Sequence, residues 1–283
     1  MLLKDYIPPP DVQQVVQLYR IVHFEFEAAA TLPAKAYPPR PEHCLAFYPF
    51  DTEVASYSSS QRQEANHRVV LYGQFTEVTQ RRIGHRFLVF QIIFQPGALH
   101  RLLGCPAGEL TNEYLDASLL LGSQVGDITD QLAACGSYDA MLEVASAFVR
   151  QLLAKAKRNS TVADDAIRRF QQMATRWSID QLASEACLSH RQLERVFYSH
   201  TGVSPKQYQQ IARFDKAFRL RNSKPHYSWL RIAMACGYHD YQHLAKAYQQ
   251  WTGLSPRQFH ALDEQAPERH FGLHEGYYDE KHL

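Results

Sequence analysis

Long apolar runs are missing from this sequence. The longest, Phe87 to Phe94, has eight residues with Gln91 among them, against the roughly 18 to 20 that a membrane-spanning helix needs. No transmembrane segment is expected. The N-terminus, MLLKDYIPPP, places Lys4, Asp5 and three prolines where a secretory leader would build its apolar core, so secretion is not expected either. Cysteine is sparse and unpatterned. Cys44, Cys105, Cys135, Cys187 and Cys236 are odd in number and form no CxxC pair, which fits neither a disulfide framework nor a zinc site. Buried thiols in a reducing compartment, and a cytoplasmic location, are the expectation. Fourteen histidines bring no ligand spacing: His23, His43, His67, His85 and His100 show no His-x-His or paired carboxylate on one element. His270 and His274 share a face only in a helix, which Gly272 discourages. With no nucleophile or phosphate-loop motif, neither a metal, a cofactor nor an enzyme is expected.

A strong overall charge is also lacking, since the total is +1, yet the distribution is uneven. Residues 1–159 hold 14 basic and 16 acidic residues, residues 160–260 hold 14 and 7, and residues 261–283 hold 2 and 6. A compact segment at +7 beside a mildly acidic one fits a polyanion-binding module joined to a partner domain. The length of 283 residues suits two domains, and 45% hydrophobic residues suffice for both cores.

The first hundred residues carry β-type runs at 18–26, 45–50, 69–72 and 87–94, separated by turn-rich stretches such as 37–41. A mostly antiparallel sheet, curled or paired into a sandwich, is predicted. Helices follow: a short one over Ala98–Leu103, ended by Gly104, and one over Tyr138–Lys157 whose apolar residues recur at helical spacing. The second either packs on its own sheet or pairs two copies of the chain. The polar stretch Arg158–Thr161 is the expected linker. Beyond it the periodicity is helical, until residues 261–283 lose it. That acidic stretch reads as a mobile tail, which Phe271, Leu273, Tyr277 and Tyr278 could partly fold back.

The basic region contains a near-duplication. Thr201-Gly-Val-Ser-Pro-Lys-Gln-Tyr208 recurs as Thr252-Gly-Leu-Ser-Pro-Arg-Gln-Phe259, 51 residues on, and Leu182-Ala183 recurs as Ile232-Ala233 at an offset of 50. Present twice, it marks a paired supersecondary unit. In the first copy Ser178 caps a helix with Leu182, Ala183 and Ala186, and after the turn Cys187-Leu188 a second helix, capped by Ser189, buries Leu193, Val196 and Phe197. In the second, Ile232, Ala233 and Cys236 supply one helix, Gly237 the left-handed turn residue and Asp240 the next cap, with Leu244, Ala247 and Tyr248 facing inward. Ser204-Pro205 begins a long amphipathic helix between the copies. Each copy has the helix-turn-helix plan.

Gly237-Tyr238-His239-Asp240, Leu244, Tyr248 and Gly253-Leu-Ser-Pro-Arg-Gln-Phe259 resemble the AraC/XylS family of bacterial transcription regulators over about residues 162–260. Phe94-Gln-Pro-Gly-Ala-Leu99, Leu102-Leu-Gly104 and Pro106-Ala-Gly-Glu-Leu110 resemble an N-terminal domain found on some of its members. The resemblance implies an α+β chain: a mostly antiparallel β domain with helices at residues 1–157 for sensing or dimerisation, an all-α domain of two helix-turn-helix units joined by a long helix at 158–260, and the tail. It also implies double-stranded DNA and RNA polymerase as partners, an unknown small-molecule or protein effector, a second copy of the chain as an optional partner in a homodimer, and activation more than repression. The two reading helices would enter the major groove roughly 34 Å apart.

Helix geometry then selects the outward residues. With Leu193, Val196 and Phe197 inside, His190, Arg191, Glu194 and Arg195 face out on the first reading helix. The matching set on the second is Tyr241, Gln242, His243 and Lys246. Arg191 and Arg195 suit guanine edges, Gln242 adenine, Glu194 cytosine or an arginine, and Lys246 guanine or phosphate. Lys206, Arg213, Lys216 and Arg257 are phosphate candidates. For any one such residue, plain solvation is the competing reading. Among the N-terminal aromatics Phe47, Tyr48, Tyr72 and Phe90 are candidates to line an effector pocket, against the alternative that they are core. Two rivals to an effector-controlled regulator remain: one whose N-terminal domain only dimerises or binds protein, and an enzyme domain fused to a DNA-binding module.

Overall fold

The computed structural model describes residues 1–32, 34–57, 60, 62–173 and 177–273. Strands come first: β1 (Leu2–Tyr6), β2 (Val16–Glu25), β3 (Lys35–Tyr37), β4 (His43–Phe47), β5 (Glu53–Tyr57), β6 (Gln63–Glu64), β7 (Val69–Tyr72), β8 (Thr79–Ile83), β9 (Arg86–Phe94) and β10 (Tyr114–Asp116). All pair antiparallel, in a six-stranded sheet ordered β1-β2-β9-β4-β7-β10 and a four-stranded sheet ordered β3-β8-β5-β6. Helices α1 (Ala98–Leu103), α2 (Ser118–Leu121), α3 (Gln124–Ala134) and α4 (Tyr138–Ala154), with a 3-10 turn at Ala107–Leu110, complete this half. Among the described residues no helix is long and apolar enough to cross a membrane.

The run at Phe87–Phe94 is apolar on both faces apart from Gln91 because β9 lies between β2 and β4 with both faces covered. Leu88, Phe90 and Ile92 face the helices with Leu45, Phe47 and Leu71, while Phe87, Val89 and Ile93 face the smaller sheet with Ala55, Tyr57 and Ile83. Helix α4, capped by Ser137, closes the first core: Phe148 meets Phe47 edge-on at 5.9 Å, and the Tyr19 and Ser146 hydroxyls are 3.1 Å apart. Its apolar face therefore packs on its own sheet. Pairing of two copies through α4 would have to use the opposite, exposed face.

The expected linker is short and pinned. The backbone N–H groups of Lys157 and Arg158 both donate to the Arg101 carbonyl at 3.1 Å. After it come α5 (Val162–Met173), α6 (Ile179–Glu185), α7 (His190–Thr201), α8 (Pro205–Ser223), α9 (Trp229–Ala235), α10 (Tyr241–Thr252), α11 (Pro256–Asp263) and α12 (Pro267–His270). The two copies of the repeat share their turn. The Leu188 N–H bonds the Ala183 carbonyl at 3.0 Å, and fifty residues on the Tyr238 N–H bonds the Ala233 carbonyl at 2.9 Å. Each needs a left-handed residue inside that loop, supplied by Gly237 at φ +77° and by Cys187 at φ +54°.

Among the described residues the halves meet at several places, including one on each helix-turn-helix unit. His200 on α7 forms a 3.0 Å pair with Asp164 on α5, and its carbonyl accepts from the Gly97 N–H at 3.1 Å. Thr111 donates to the Gly202 carbonyl at 2.8 Å, and the Tyr198 ring lies so close to Gly108 that a Cβ there would clash at 2.3 Å. At the second unit Ala36 and Val78 join its apolar cluster. The expected tail is ordered as far as described: α11 runs to Asp263, and Phe271 packs on Phe24 and Phe26 with ring centroids at 5.8 and 4.9 Å. Tyr277, Tyr278 and His274 lie outside the described residues.

Two carboxylates, one buried and one half-buried, make the fold acid-sensitive. Burial pushes the Glu42 carboxyl up, but Arg20 and Arg40 beside it outweigh this and hold it at about 2. At Asp164 burial is likewise outweighed, by hydrogen bonds from His200 and Thr161, and the group sits at about 2. Both values lie below those of the unfolded chain, so the stabilisation is complete above about pH 5 and is lost as pH falls towards 2. Urea midpoints should fall between pH 6 and pH 3, and by less in Arg20→Met; equal midpoints at the two pH values would contradict this pairing. The shared turn gives a second expectation. Gly237 has nothing nearer than the Arg213 Nε at 3.9 Å to obstruct a Cβ, so Gly237→Ala should cost only the backbone penalty, about 1 kcal/mol, whereas Cys187→Gly should stabilise by up to ~1 kcal/mol. Urea denaturation of both variants reads the two signs.

Candidate nucleic-acid interface

The two reading helices are built alike. Ser178 and Gln181 form a capping box at α6, as do Ser189 and Gln192 at α7. In the second unit the Ser228 hydroxyl accepts from the Arg231 N–H at 3.2 Å and the Asp240 carboxylate from the His243 N–H at 2.7 Å. Gly202 and Gly253, both left-handed, end α7 and α10. Inside the first unit Phe197 lies between Phe170 and Tyr208, edge-on to both at 5.8 and 5.4 Å. Inside the second, Phe214 meets Tyr248 edge-on at 4.9 Å, and the Tyr248 hydroxyl and His260 Nε2 are 3.0 Å apart. Helix α8, 19 residues and so about 28 Å long, gives Tyr208 to the first core and Ile211, Phe214, Ala217 and Phe218 to the second.

This packing leaves one face of each reading helix in solvent. His190, Arg191, Glu194 and Arg195 are all exposed on α7. Neither Arg191 nor Arg195 forms an ion pair or hydrogen bond among the described residues, so both guanidinium forks stay available. His190 differs, its Nε2 lying 3.1 Å from an Asp180 carboxylate oxygen on α6. On α10, Gln242, His243 and Lys246 are exposed and Tyr241 is half-buried. His243 stacks on His239 at 5.9 Å and meets Tyr238 edge-on at 5.1 Å, which fixes its ring.

The phosphate candidates divide. Lys206 and Arg257 are exposed at equivalent places, the second residue of α8 and of α11, each beside a serine-capped helix start whose amides favour an anion. Arg213 is half-buried with its guanidinium 5.7 Å from the Tyr238 ring centroid. Lys216 is half-buried too. These two sit nearer the packing than the surface.

A second feature lies between the sheets of the N-terminal half, a cavity of about 70 Å³. Of the four aromatics singled out in the sequence only Tyr72 lines it. Phe47 and Phe90 point to the other face of the large sheet, into the core beneath the helices. Tyr48 is buried beside the cavity with its hydroxyl 3.3 Å from that of Tyr114. The lining combines the aromatics Phe24, Tyr37, Tyr72, Phe75 and Phe87 with charged side chains. Arg81 pairs with Glu53 at 3.0 Å and stacks over Tyr37 and Tyr72 at 4.6 and 4.9 Å; Arg20 pairs with Asp5 at 2.9 Å and Glu42 at 3.1 Å. Lys35 lines it as well and pairs with Glu268. The hints in the sequence are polar residues at inward strand positions: Glu53 in β5, Thr79 and Arg81 in β8, and Gln91 in β9.

Two known families match separate stretches of the chain. A family described as a helix-turn-helix domain matches residues 182–261, and a domain of unknown function (DUF6597) matches residues 4–116. The HTH-type transcriptional regulator ArgR of Pseudomonas aeruginosa is 33% identical over 81 residues, 28% of this chain and 24% of that protein. The HTH-type transcriptional activator RhaS of Salmonella arizonae is 32% identical over 118 residues, 38% of this chain and 42% of that protein. The chain thus spans about a quarter of ArgR and less than half of RhaS. An apo ToxT variant from Vibrio cholerae superposes on 86% of this chain and 97% of its own at 11% identity with a TM-score of 0.48, which is too low to carry an argument. The sequence matches and the duplicated units, each with side-chain-capped helices, point the same way. Residues 182–261 carry a helix-turn-helix domain of the AraC/XylS type.

Proposed function

We propose that the protein regulates transcription by reading duplex DNA at two adjacent major-groove segments, under the control of its N-terminal half. One observation carries this reading. Two helices of equivalent build, fixed by a shared 19-residue helix, each present to solvent side chains of a kind suited to reading bases, unpaired among the described residues: Arg191 and Arg195 on one, Gln242 and Lys246 on the other. Such side chains discriminate bases through bidentate hydrogen bonds, while Lys206 and Arg257 at helix starts hold phosphates. Contact with RNA polymerase and activation are the direction favoured by the RhaS relatives, which are named activators. Control from the N-terminal half is supported by its contacts with both units, at His200 and Gly202 in the first and around Ala36 in the second.

The test is selection of duplexes from a random pool by the full chain, followed by affinity measurements on the selected site. Arg195→Ala and Lys246→Ala should each cost roughly 1 to 3 kcal/mol and relax sequence preference at separate positions of the site. Lys206→Ala and Arg257→Ala should weaken all duplexes about equally and lower the salt slope by about one each. Enrichment of no sequence, with affinity unmoved by Arg195→Ala and Lys246→Ala, would overturn the reading.

A further inference from the structure

The segment after α11 crosses to the N-terminal half and offers it two groups three residues apart. The Glu268 carboxylate, on a residue 3% exposed, pairs with the Lys35 ammonium on β3 and forms part of the wall of the cavity between the sheets. The Phe271 ring packs on Phe24 and Phe26 and joins the apolar cluster that lies between the sheets. The segment is firmly tied to the second helix-turn-helix unit. Arg269 donates to the Asp263 carboxylate at 3.2 Å and also bonds Asn222 at the end of α8; the Leu273 N–H returns to the Glu268 carbonyl at 2.8 Å. Whatever holds Glu268 and Phe271 therefore holds that unit.

The charges of the cavity show what would replace them. Arg20 and Arg81 have carboxylates from the N-terminal half itself, and Arg40 lies 3.7 Å from Asp215 on α8. Lys35 is the lining cation whose ion-pair partner comes from the segment. Burial already holds its ammonium down at about 7, and a buried cation without its carboxylate is costly. With the segment withdrawn, one ammonium and the faces of Phe24 and Phe26 are vacated together. A carboxylate joined to an aromatic ring is the chemistry that satisfies both.

We propose that residues 264–273 act as a self-docked ligand: Glu268 and Phe271 occupy a site on the N-terminal half that accepts an aromatic carboxylate, and a free aromatic carboxylate in that site releases the second helix-turn-helix unit. The consequence for DNA rests on the regulator reading above; the site itself does not. Competition between the internal and the free carboxylate couples the site to the segment, since each lowers the apparent affinity of the other.

The probe is 3-phenylpropionate, with uncharged 3-phenylpropanamide as its counterpart, on the full chain. Calorimetry measures binding, and hydrogen exchange of residues 264–273 measures release. Glu268→Gln should bind the acid at least tenfold more tightly than the unaltered chain, because the internal competitor is weakened. Lys35→Met should lose the acid and Lys35→Arg should keep it, which separates loss of the charge from loss of the fold. The amide should bind none of them. Saturating acid should raise exchange of 264–273 to the level of the Glu268→Gln/Phe271→Ala double variant. Equal affinity in the unaltered chain and Glu268→Gln, binding that survives Lys35→Met, or no binding to either chain would overturn the proposal. If those arms fail while duplex selection succeeds, the latch is wrong and the regulator reading stands; if selection fails while the acid displaces the segment, the site stands without the regulator.

Discussion

Helix α8 has to satisfy two hydrophobic cores at once. Tyr208 near its start completes the stack of Phe170 and Phe197, and Phe214 and Phe218 further along complete the cluster of Tyr248 and Phe259. A helix committed at both ends cannot bend or slide without opening one core, and a buried aromatic lost to a cavity costs roughly 3 to 5 kcal/mol. The separation and mutual rotation of α7 and α10 follow from that commitment. Their outer faces can then remain bare and charged, because the inner faces alone hold them in place.

The N-terminal half bears on this rigid pair from both sides. The C-terminal end of α7 is seated on α1 and the 3-10 turn through His200, Tyr198 and Gly202, while the second unit is held by β3 and by the segment carrying Glu268. The two contacts differ in kind. The first is close-packed around glycines with no room for a side chain, and the second adds to the apolar contact of Ala36 and Val78 an ion pair in the wall of the cavity. Close-packed seams resist change, whereas an ion pair is open to exchange with another carboxylate. Any signal passing between the halves has its easier route through the second.

The helix-turn-helix half was legible because its signals are local. Serine caps, a glycine turn and an apolar period of three to four residues stand within a few positions of one another, and their recurrence at an offset of 50 or 51 doubles the signal. Even so, Cys187 at positive φ was not readable, since the turn demands the conformation and the residue type does not advertise it. The strands β5 and β8 were missed for a different reason. Glu53 and Arg81 point inward and break the alternation by which strands are recognised, and their pairing brings together residues 28 apart. The cavity shared that obscurity: in the mostly apolar β9 parity decides which face Phe90 takes, and Gln91 is the single polar residue of the run that marks the cavity face. The ordered stretch to residue 273 hung on Phe271, whose partners Phe24 and Phe26 lie almost 250 residues away.

The central claim is that two reading heads are held at a fixed spacing on one face of the double helix. Hydroxyl-radical footprinting of the full chain on its selected duplex tests this most directly. Two protected patches on the same face, their centres about 10 base pairs apart, are the predicted result. A single patch, or uniform protection along the duplex, would contradict it.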